Sequence, residues 1–292
     1  MVGGLQTPEP MTLRQAISAA ADQLAQNEHL ARTATRDAEL LLLHTLGVPR
    51  STIYAYPGRL LSDREQRAYR AAIGRRLAME PVQYITGVQE FFGLRLEVGP
   101  GVLIPRPETE LLVESALKRL PADRPVRLLD VGTGTGAIAI AMAVKLPQAR
   151  VTAIDLSEAA LAMARRNVRR HGLEDRVDLV NSDLLAALPA GDRFHAILSN
   201  PPYVPESDRA TMHPQVRHYE PREALFAGVD GLEVYRRLIP QARVALMERG
   251  LLTLEIGYGQ RDAIAELLQG WRGVQIFDDL REIPRVAVAW RP

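Results

Sequence analysis

Four short segments of this 292-residue chain combine residue types and spacings that can do chemistry. The first is Asp130-Val131-Gly132-Thr133-Gly134-Thr135-Gly136, an acid followed by three glycines at alternate positions. Glycines let the main chain come close to a bound molecule, and the start of the following helix offers free amides. The loop lacks the glycine three residues after Gly134 that a dinucleotide fingerprint requires, and it lacks the Gly-Lys-Ser/Thr ending of a P-loop. Its leading acid suits a ligand with an ammonium group better than one with a pyrophosphate. The second and third segments are acids at strand ends. Asp155 stands 19 residues after Gly136, placed to accept hydrogen bonds from both ribose hydroxyls of an adenosine. Asp183, in Asn181-Ser182-Asp183, is placed to meet the exocyclic amine of the adenine. Each acid alone reads as a solvated strand end or a helix cap. Three at successive strand ends point to an adenosine-containing ligand.

The fourth segment is Ser199-Asn200-Pro201-Pro202-Tyr203. Two prolines after a strand neither continue a sheet nor supply amide donors, so this turn is stiff and rich in free carbonyls. The side-chain oxygen of Asn200 and the main-chain oxygen of Pro201 can hold both hydrogens of a planar NH2 group. Its nitrogen then faces an electrophile, which is catalysis by positioning. No strong base is needed, because the nitrogen becomes acidic once it bonds carbon. Tyr203 is placed to pack on the planar group, or to serve as an ordinary core aromatic. His213 and His218, in the loop beyond, read as packing or solvated residues. No His and acid spacing matches a metal-ligand set, so no metal is expected.

These segments must be held by a repeating scaffold. Val126–Val131, Val151–Ile154, Val177–Val180 and Phe194–Leu198 are short apolar runs separated by helical stretches such as Ser157–His171. Leu251–Ile256, Val274–Phe277 and Val286–Trp290 add three more, the last two without a long helix between them. Continuous apolar strands alternating with helices predict an α/β domain with a mostly parallel seven-stranded sheet covered on both faces. Ligands in such sheets sit at the carboxyl ends of the strands, where all four segments fall.

The first ~80 residues predict a small helical bundle. Thr12 caps one helix, Thr35 to Leu46 forms a second closed by Gly47 and Pro49, and Ser62 with Glu65 opens a third. The third carries Arg64, Arg67, Arg70, Arg75 and Arg76, read as a solvated face or as a dock for an acidic protein surface. Residues 83–104 change period. Tyr84-Ile85-Thr86 and Leu94–Val98 predict a β-hairpin linker between a domain over 1–82 and one over 105–292.

Composition closes off other classes. Hydrophobic residues make up 47% and charged residues 24%, the balance of a globular protein. The net charge of +1 lacks the basic excess of a dedicated nucleic-acid binder. Cysteine is absent, which removes disulfides and thiolate chemistry. No apolar run reaches membrane-span length, and Met1–Pro10 lacks a basic-then-apolar leader pattern. A cytoplasmic protein is expected.

Asp130–Gly136, Asp155, Asp183 and Asn200–Tyr203, in that order, resemble a class I methyltransferase that uses S-adenosylmethionine to modify an amide or exocyclic nitrogen, a Rossmann-like fold. Pro81–Gly87, Glu90-Phe91-Phe92-Gly93 and Ile104-Pro105-Arg106-Pro107-Glu108-Thr109-Glu110 narrow the resemblance to the peptide chain release factor glutamine methyltransferases, over essentially the whole chain. That resemblance implies class 1 release factors as substrate, methylated on the amide nitrogen (N5) of the Gly-Gly-Gln glutamine, with S-adenosylhomocysteine as product. It implies a monomer with no stable nucleic-acid partner and no membrane. It assigns Asp130, Gly132, Thr133, Gly134, Thr135, Gly136, Asp155, Asp183, Leu184 and Asn200 to the methyl donor. It assigns Asn200, Pro201, Pro202 and Tyr203 to the glutamine, with Asn200, Pro201 and Tyr203 catalytic. Leu184 stands where some members place an aromatic, so adenine packing would rest on an aliphatic surface. Competing readings are a glutamine methyltransferase of a large-subunit ribosomal protein and a DNA adenine-N6 methyltransferase. The non-enzyme alternative, an adenosine-binding interaction module, leaves the Asn200 turn without a purpose.

Overall fold

The computed structural model of the protein describes residues 10–292; the residues before Pro10, where the leader pattern was sought, lie outside them. The chain forms two compact units, one of residues up to Gly87 with His213–Tyr219, the other of Val88–Met212 with Glu220–Pro292.

The first unit holds α1 (Leu13–Ala25), α2 (Ala34–Leu46), α3 (Ser51–Ala55), α4 (Asp63–Leu77) and α5 (Val82–Thr86). The expected caps are present. Thr12 Oγ1 accepts from the Gln15 amide at 3.3 Å while Gln15 Oε1 accepts from the Thr12 amide at 2.9 Å. Ser62 and Glu65 repeat this reciprocal box at 3.3 and 2.8 Å. Gly47, in the left-handed region at φ 64°, closes α2. Leu13, Leu24, Leu30, Leu41 and Leu42 are wholly buried between the helices.

Two expectations are corrected here. Tyr84-Ile85-Thr86 is not a strand but part of α5, which starts after Pro81 and stops at Gly87, φ 73°. Five residues are too few for a period to declare itself, so a short helix and a strand look alike in sequence. The arginine row is not uniformly solvated either. Arg64, Arg67, Arg70 and Arg75 are exposed, but Arg76 is buried and its Nε donates to Asp37 Oδ2 at 2.8 Å. Thr33 Oγ1 donates to the same oxygen at 3.0 Å.

The second unit begins with the hairpin β1 (Val88–Phe91) and β2 (Leu94–Glu97), followed by α6 (Glu110–Leu117). The hairpin thus groups with the sheet unit, and the division of the chain falls at Gly87. Then come β3 (Val126–Val131), α7 (Ala137–Lys145), β4 (Ala149–Asp155), α8 (Glu158–Arg170), β5 (Val177–Asn181) and β6 (Phe194–Ser199). After α9 (Pro214–Tyr219), which belongs to the first unit, follow α10 (Glu233–Ala245), β7 (Leu246–Glu255), α11 (Arg261–Leu267), β8 (Arg272–Asp278) and β9 (Pro284–Trp290).

All seven expected strands form one sheet, ordered β5-β4-β3-β6-β7-β9-β8, with β3 to β7 parallel and β9 antiparallel to both its neighbours. Side chains alternate between two apolar layers. Leu128, Val151 and Leu198 pack with α7 on one face, while Leu129, Ile197 and Leu252 pack with α10 on the other. That is why the strands read as continuous apolar runs. Strand order reverses between β3 and β6, and such a switch point opens a crevice at the strands' carboxyl ends. Among the described residues no helix is long and apolar enough to cross a membrane.

Candidate active site

The glycine turn lies at the carboxyl end of β3, on one side of this crevice. Gly132, Gly134 and Gly136 all have positive φ, at 72°, 55° and 83°. Their roles differ. A Cβ on Gly134 would meet nothing within 4 Å, whereas one on Gly136 would press on Ile140 Cδ1 at 3.2 Å and Ala164 Cβ at 3.4 Å. The first two glycines leave room for a ligand; the third lets α7 and α8 approach.

Asp130 is fully buried behind the turn. Its Oδ2 accepts from Thr133 Oγ1 at 2.6 Å and from the Ala139 amide at 3.1 Å, which pins the loop to the first turn of α7. Its Oδ1 has no partner, and burial pushes the carboxyl's pKa up to about 7. Asp155 closes β4. Its two oxygens accept from the Gly134 amide at 2.8 Å and the Ser157 amide at 2.9 Å, while burial raises its pKa. These bonds orient the carboxylate and leave lone pairs for hydroxyl donors.

Asp183 is exposed, with Oδ2 held by Arg237 at 2.6 Å. Leu184 beside it is half-buried with a positive φ of 49°, an unusual conformation for a branched side chain. Ser182 holds that turn, donating to the Leu184 carbonyl at 2.6 Å and accepting from the Ala187 amide at 3.0 Å.

The Asn200 turn lies across from the glycines at the end of β6. A Cβ on Gly132 would stand 3.9 Å from the Asn200 carbonyl, so the two motifs adjoin. Ser199 Oγ donates to the Val131 carbonyl at 2.7 Å, tying the two strand ends together. Asn200 Nδ2 donates to Thr109 Oγ1 at 3.1 Å, which leaves Oδ1 as the free acceptor. Pro201 is buried and Pro202 half-buried. Tyr203 is half-buried; its hydroxyl reaches Glu255 Oε1 at 3.3 Å, and its carbonyl accepts from Gln260 Nε2 at 3.0 Å. His213 belongs to the first unit, its Nε2 3.3 Å from the His29 carbonyl and its ring edge-on to that of His29. His218 accepts from its neighbour Arg217 at 3.2 Å.

Several positioning residues escaped the sequence reading. Thr109 sits in the 3-10 turn Pro107–Thr109, so the double-proline segment serves to deliver a hydroxyl to Asn200. Glu220 anchors that segment, its buried carboxylate accepting from Arg106 Nη2 at 2.5 Å and from the Ile104 amide at 3.3 Å. Asn167, wholly buried on α8, donates to the Thr135 and Glu97 carbonyls, each at 2.9 Å, and so joins the glycine turn to the hairpin. These are pairings across 70 residues or more in most cases, which no local pattern discloses.

The open glycine cradle and the unpartnered Asp130 oxygen fit an adenosine ligand that carries a cationic group. The fold is shared with a Thermus thermophilus 16S rRNA guanine methyltransferase solved with AdoMet and guanosine, at a TM-score of 0.55 and 20% identity over 70% of this chain and 50% of that one. It is also shared with the human Mettl16 catalytic domain, at 0.54 and 19% over 80% and 84%. Residues 107–218 match the methyltransferase small domain. The fold is that of the class I methyltransferases.

Residues 15–87 match the PrmC N-terminal domain. Relatives named release factor glutamine methyltransferase are 43% identical in Koribacter versatilis, over 97% of this chain and 99% of the relative, and 40% identical in Escherichia coli, over 94% and 96%. The chain belongs to the release factor glutamine methyltransferase family.

Proposed function

We propose that this protein transfers one methyl group from S-adenosylmethionine to the side-chain amide nitrogen of the glutamine in the Gly-Gly-Gln motif of class 1 peptide chain release factors. The observation that carries the reading is the free Oδ1 of Asn200, held beside the glycine turn by a bond from its own nitrogen to Thr109. When bound, the donor supplies an electrophilic methyl on a sulfonium sulfur. Gly132 and Gly134 give it room, Asp155 receives its ribose hydroxyls, and Leu184 offers an apolar edge to its adenine. Asn200 Oδ1 and the Pro201 carbonyl accept the two hydrogens of the glutamine NH2, which orients the nitrogen lone pair toward the methyl. The proton shed after transfer leaves to solvent, so no side chain has to act as a strong base.

Intact mass and peptide mapping of a bacterial release factor, incubated with the protein and S-adenosylmethionine, test this reading. A single added methyl on the Gly-Gly-Gln glutamine is the expected product. Methylation of a ribosomal-protein fraction or a DNA duplex in its place would redirect the substrate assignment.

Asp155→Ala is expected to weaken donor binding about 10- to 150-fold, the equivalent of ~1.5–3 kcal/mol for charge-assisted hydrogen bonds. Titration calorimetry with S-adenosylhomocysteine reads this directly. An unchanged Kd would place the ribose elsewhere.

A further inference from the structure

Past the end of β5 the chain turns sharply through Ser182, Asp183, Leu184 and Leu185. Leu184 stands there at φ 49°, a conformation costly for a branched residue, which persists only where surrounding bonds over-determine it. Those bonds come from two sides. On the strand side, Asn181 Nδ2 donates to the carbonyls of Asp155 and Leu156 at 3.1 and 2.9 Å. The Ser182 amide donates to the same Asp155 carbonyl at 3.0 Å, so the turn is registered against the neighbouring strand-end acid. On the other side stands α10. Gln241 Oε1 accepts from the Leu185 amide at 3.1 Å, and Arg237 Nη2 donates to Asp183 Oδ2 at 2.6 Å. The two residues lie one helical turn apart, on a single face of α10.

The bond from Arg237 is not a device for stability. Both side chains are about half exposed, and ion pairs so exposed add little to folding free energy. What the bond fixes is direction. An untethered aspartate at a strand end rotates about its side-chain bonds. Held through Oδ2, Asp183 presents Oδ1 in one orientation, as an acceptor for an N–H donor. The exocyclic amine of adenine is such a donor, whereas the ring oxygen that replaces it in hypoxanthine meets the carboxylate as a second acceptor. Arg236, the next residue, points the same charge elsewhere and donates to Asp230 Oδ1 at 3.0 Å.

We propose that Arg237 is a positioning residue for donor recognition: by fixing Asp183 it makes the site select adenine over a base that lacks the six-amino group. This rests on the reading of Asp183 and Leu184 as the edge that meets the adenine. The packing supports the same placement. Leu184, Leu185 and Leu188 lie against the apolar layer to which α10 contributes Leu238 and Ala242, so the helix that carries Arg237 is seated by the turn it holds.

The test is calorimetric, with two probes, S-adenosylhomocysteine and S-inosylhomocysteine, which carries oxygen where adenine carries its amine. The full-length protein is expected to bind the first about 10-fold or more tightly than the second. Arg237→Ala is expected to weaken S-adenosylhomocysteine about 3- to 10-fold, the loss of direction in a charge-assisted hydrogen bond, and to leave the inosine compound unchanged. Arg237→Lys, which keeps a cation within reach, is expected to recover part of the loss. Arg236→Ala removes the same charge one residue away and is expected to bind both probes as wild type does. In an Asp183→Ala background, Arg237→Ala is expected to add nothing, because both break one interaction. Unchanged or tighter binding of S-adenosylhomocysteine by Arg237→Ala, an equal loss for both probes, or a loss shared by Arg236→Ala would each overturn the proposal. If Asp183→Ala itself binds S-adenosylhomocysteine as tightly as wild type, the reading of Asp183 at the adenine fails first. If Asp183→Ala binds weakly while Arg237→Ala does not, only the role of Arg237 fails.

Discussion

Asn200→Ala is expected to lower kcat by about 100-fold or more, the scale of losing one preorganised group that engages the reacting atoms. Affinity for S-adenosylhomocysteine should stay unchanged. The split follows from the geometry. Alanine keeps the Pro201-Pro202 turn and the Ser199 bond to β3, so the crevice survives, while the acceptor oxygen disappears. The substrate amide then rotates freely, and the fraction of encounters with nitrogen facing the methyl falls. Single-turnover kinetics with release factor in excess isolates the chemical step. A variant as fast as wild type would remove Asn200 from the reaction.

The second large effect concerns folding of the first unit. Asp37→Ala is expected to reduce unfolding free energy by ~3–5 kcal/mol, because it strands a buried guanidinium. Arg76 is 4% exposed and sits opposite a carboxylate that is 6% exposed, so water cannot replace the lost partner without opening the helices. Arg76 keeps one other bond, to the Glu80 carbonyl at 3.0 Å, which does not neutralise its charge. Replacing both members by apolar residues, Asp37→Leu with Arg76→Met, should recover most of the loss. Denaturant titration of the full chain measures both variants. A midpoint for Asp37→Ala equal to wild type would mean that Arg76 reaches solvent.

The parts of this molecule that sequence made legible are those set by local chemistry. Helix caps at Thr12 and Ser62 are satisfied within four residues, so their donors and acceptors lie in one window of text. The seven strands were visible because a sheet buried on both faces demands unbroken apolar runs, and the missing helix between β8 and β9 announced the reversed strand. The glycine loop, its preceding acid and the Asn-Pro-Pro-Tyr turn were visible because main-chain conformation restricts which residues fit.

Other features depended on what came near in space. Residues 83–104 read as one hairpin linker, yet the chain divides at Gly87, because α5 is too short to show a helical period and the true first strand begins at Val88. Arg76 looked like its exposed neighbours until Asp37, on another helix, met it. Glu220 and Glu255 carried no signal, and Thr109 stood out only as part of the double-proline segment with no role of its own, since a threonine in a proline-rich turn or a buried glutamate has many uses.

The sequence by itself thus determined the family, the sheet, and the residues able to approach an adenosine and an amide. Only the tertiary structure decided how those residues are aimed. Identity and local conformation are encoded by neighbours along the chain, but the direction of a side-chain dipole is set by partners that folding brings in, as Thr109 does for Asn200 across 91 residues. A hydrogen bond depends on a few tenths of an ångström and on which atom donates, and neither is written in the order of residues.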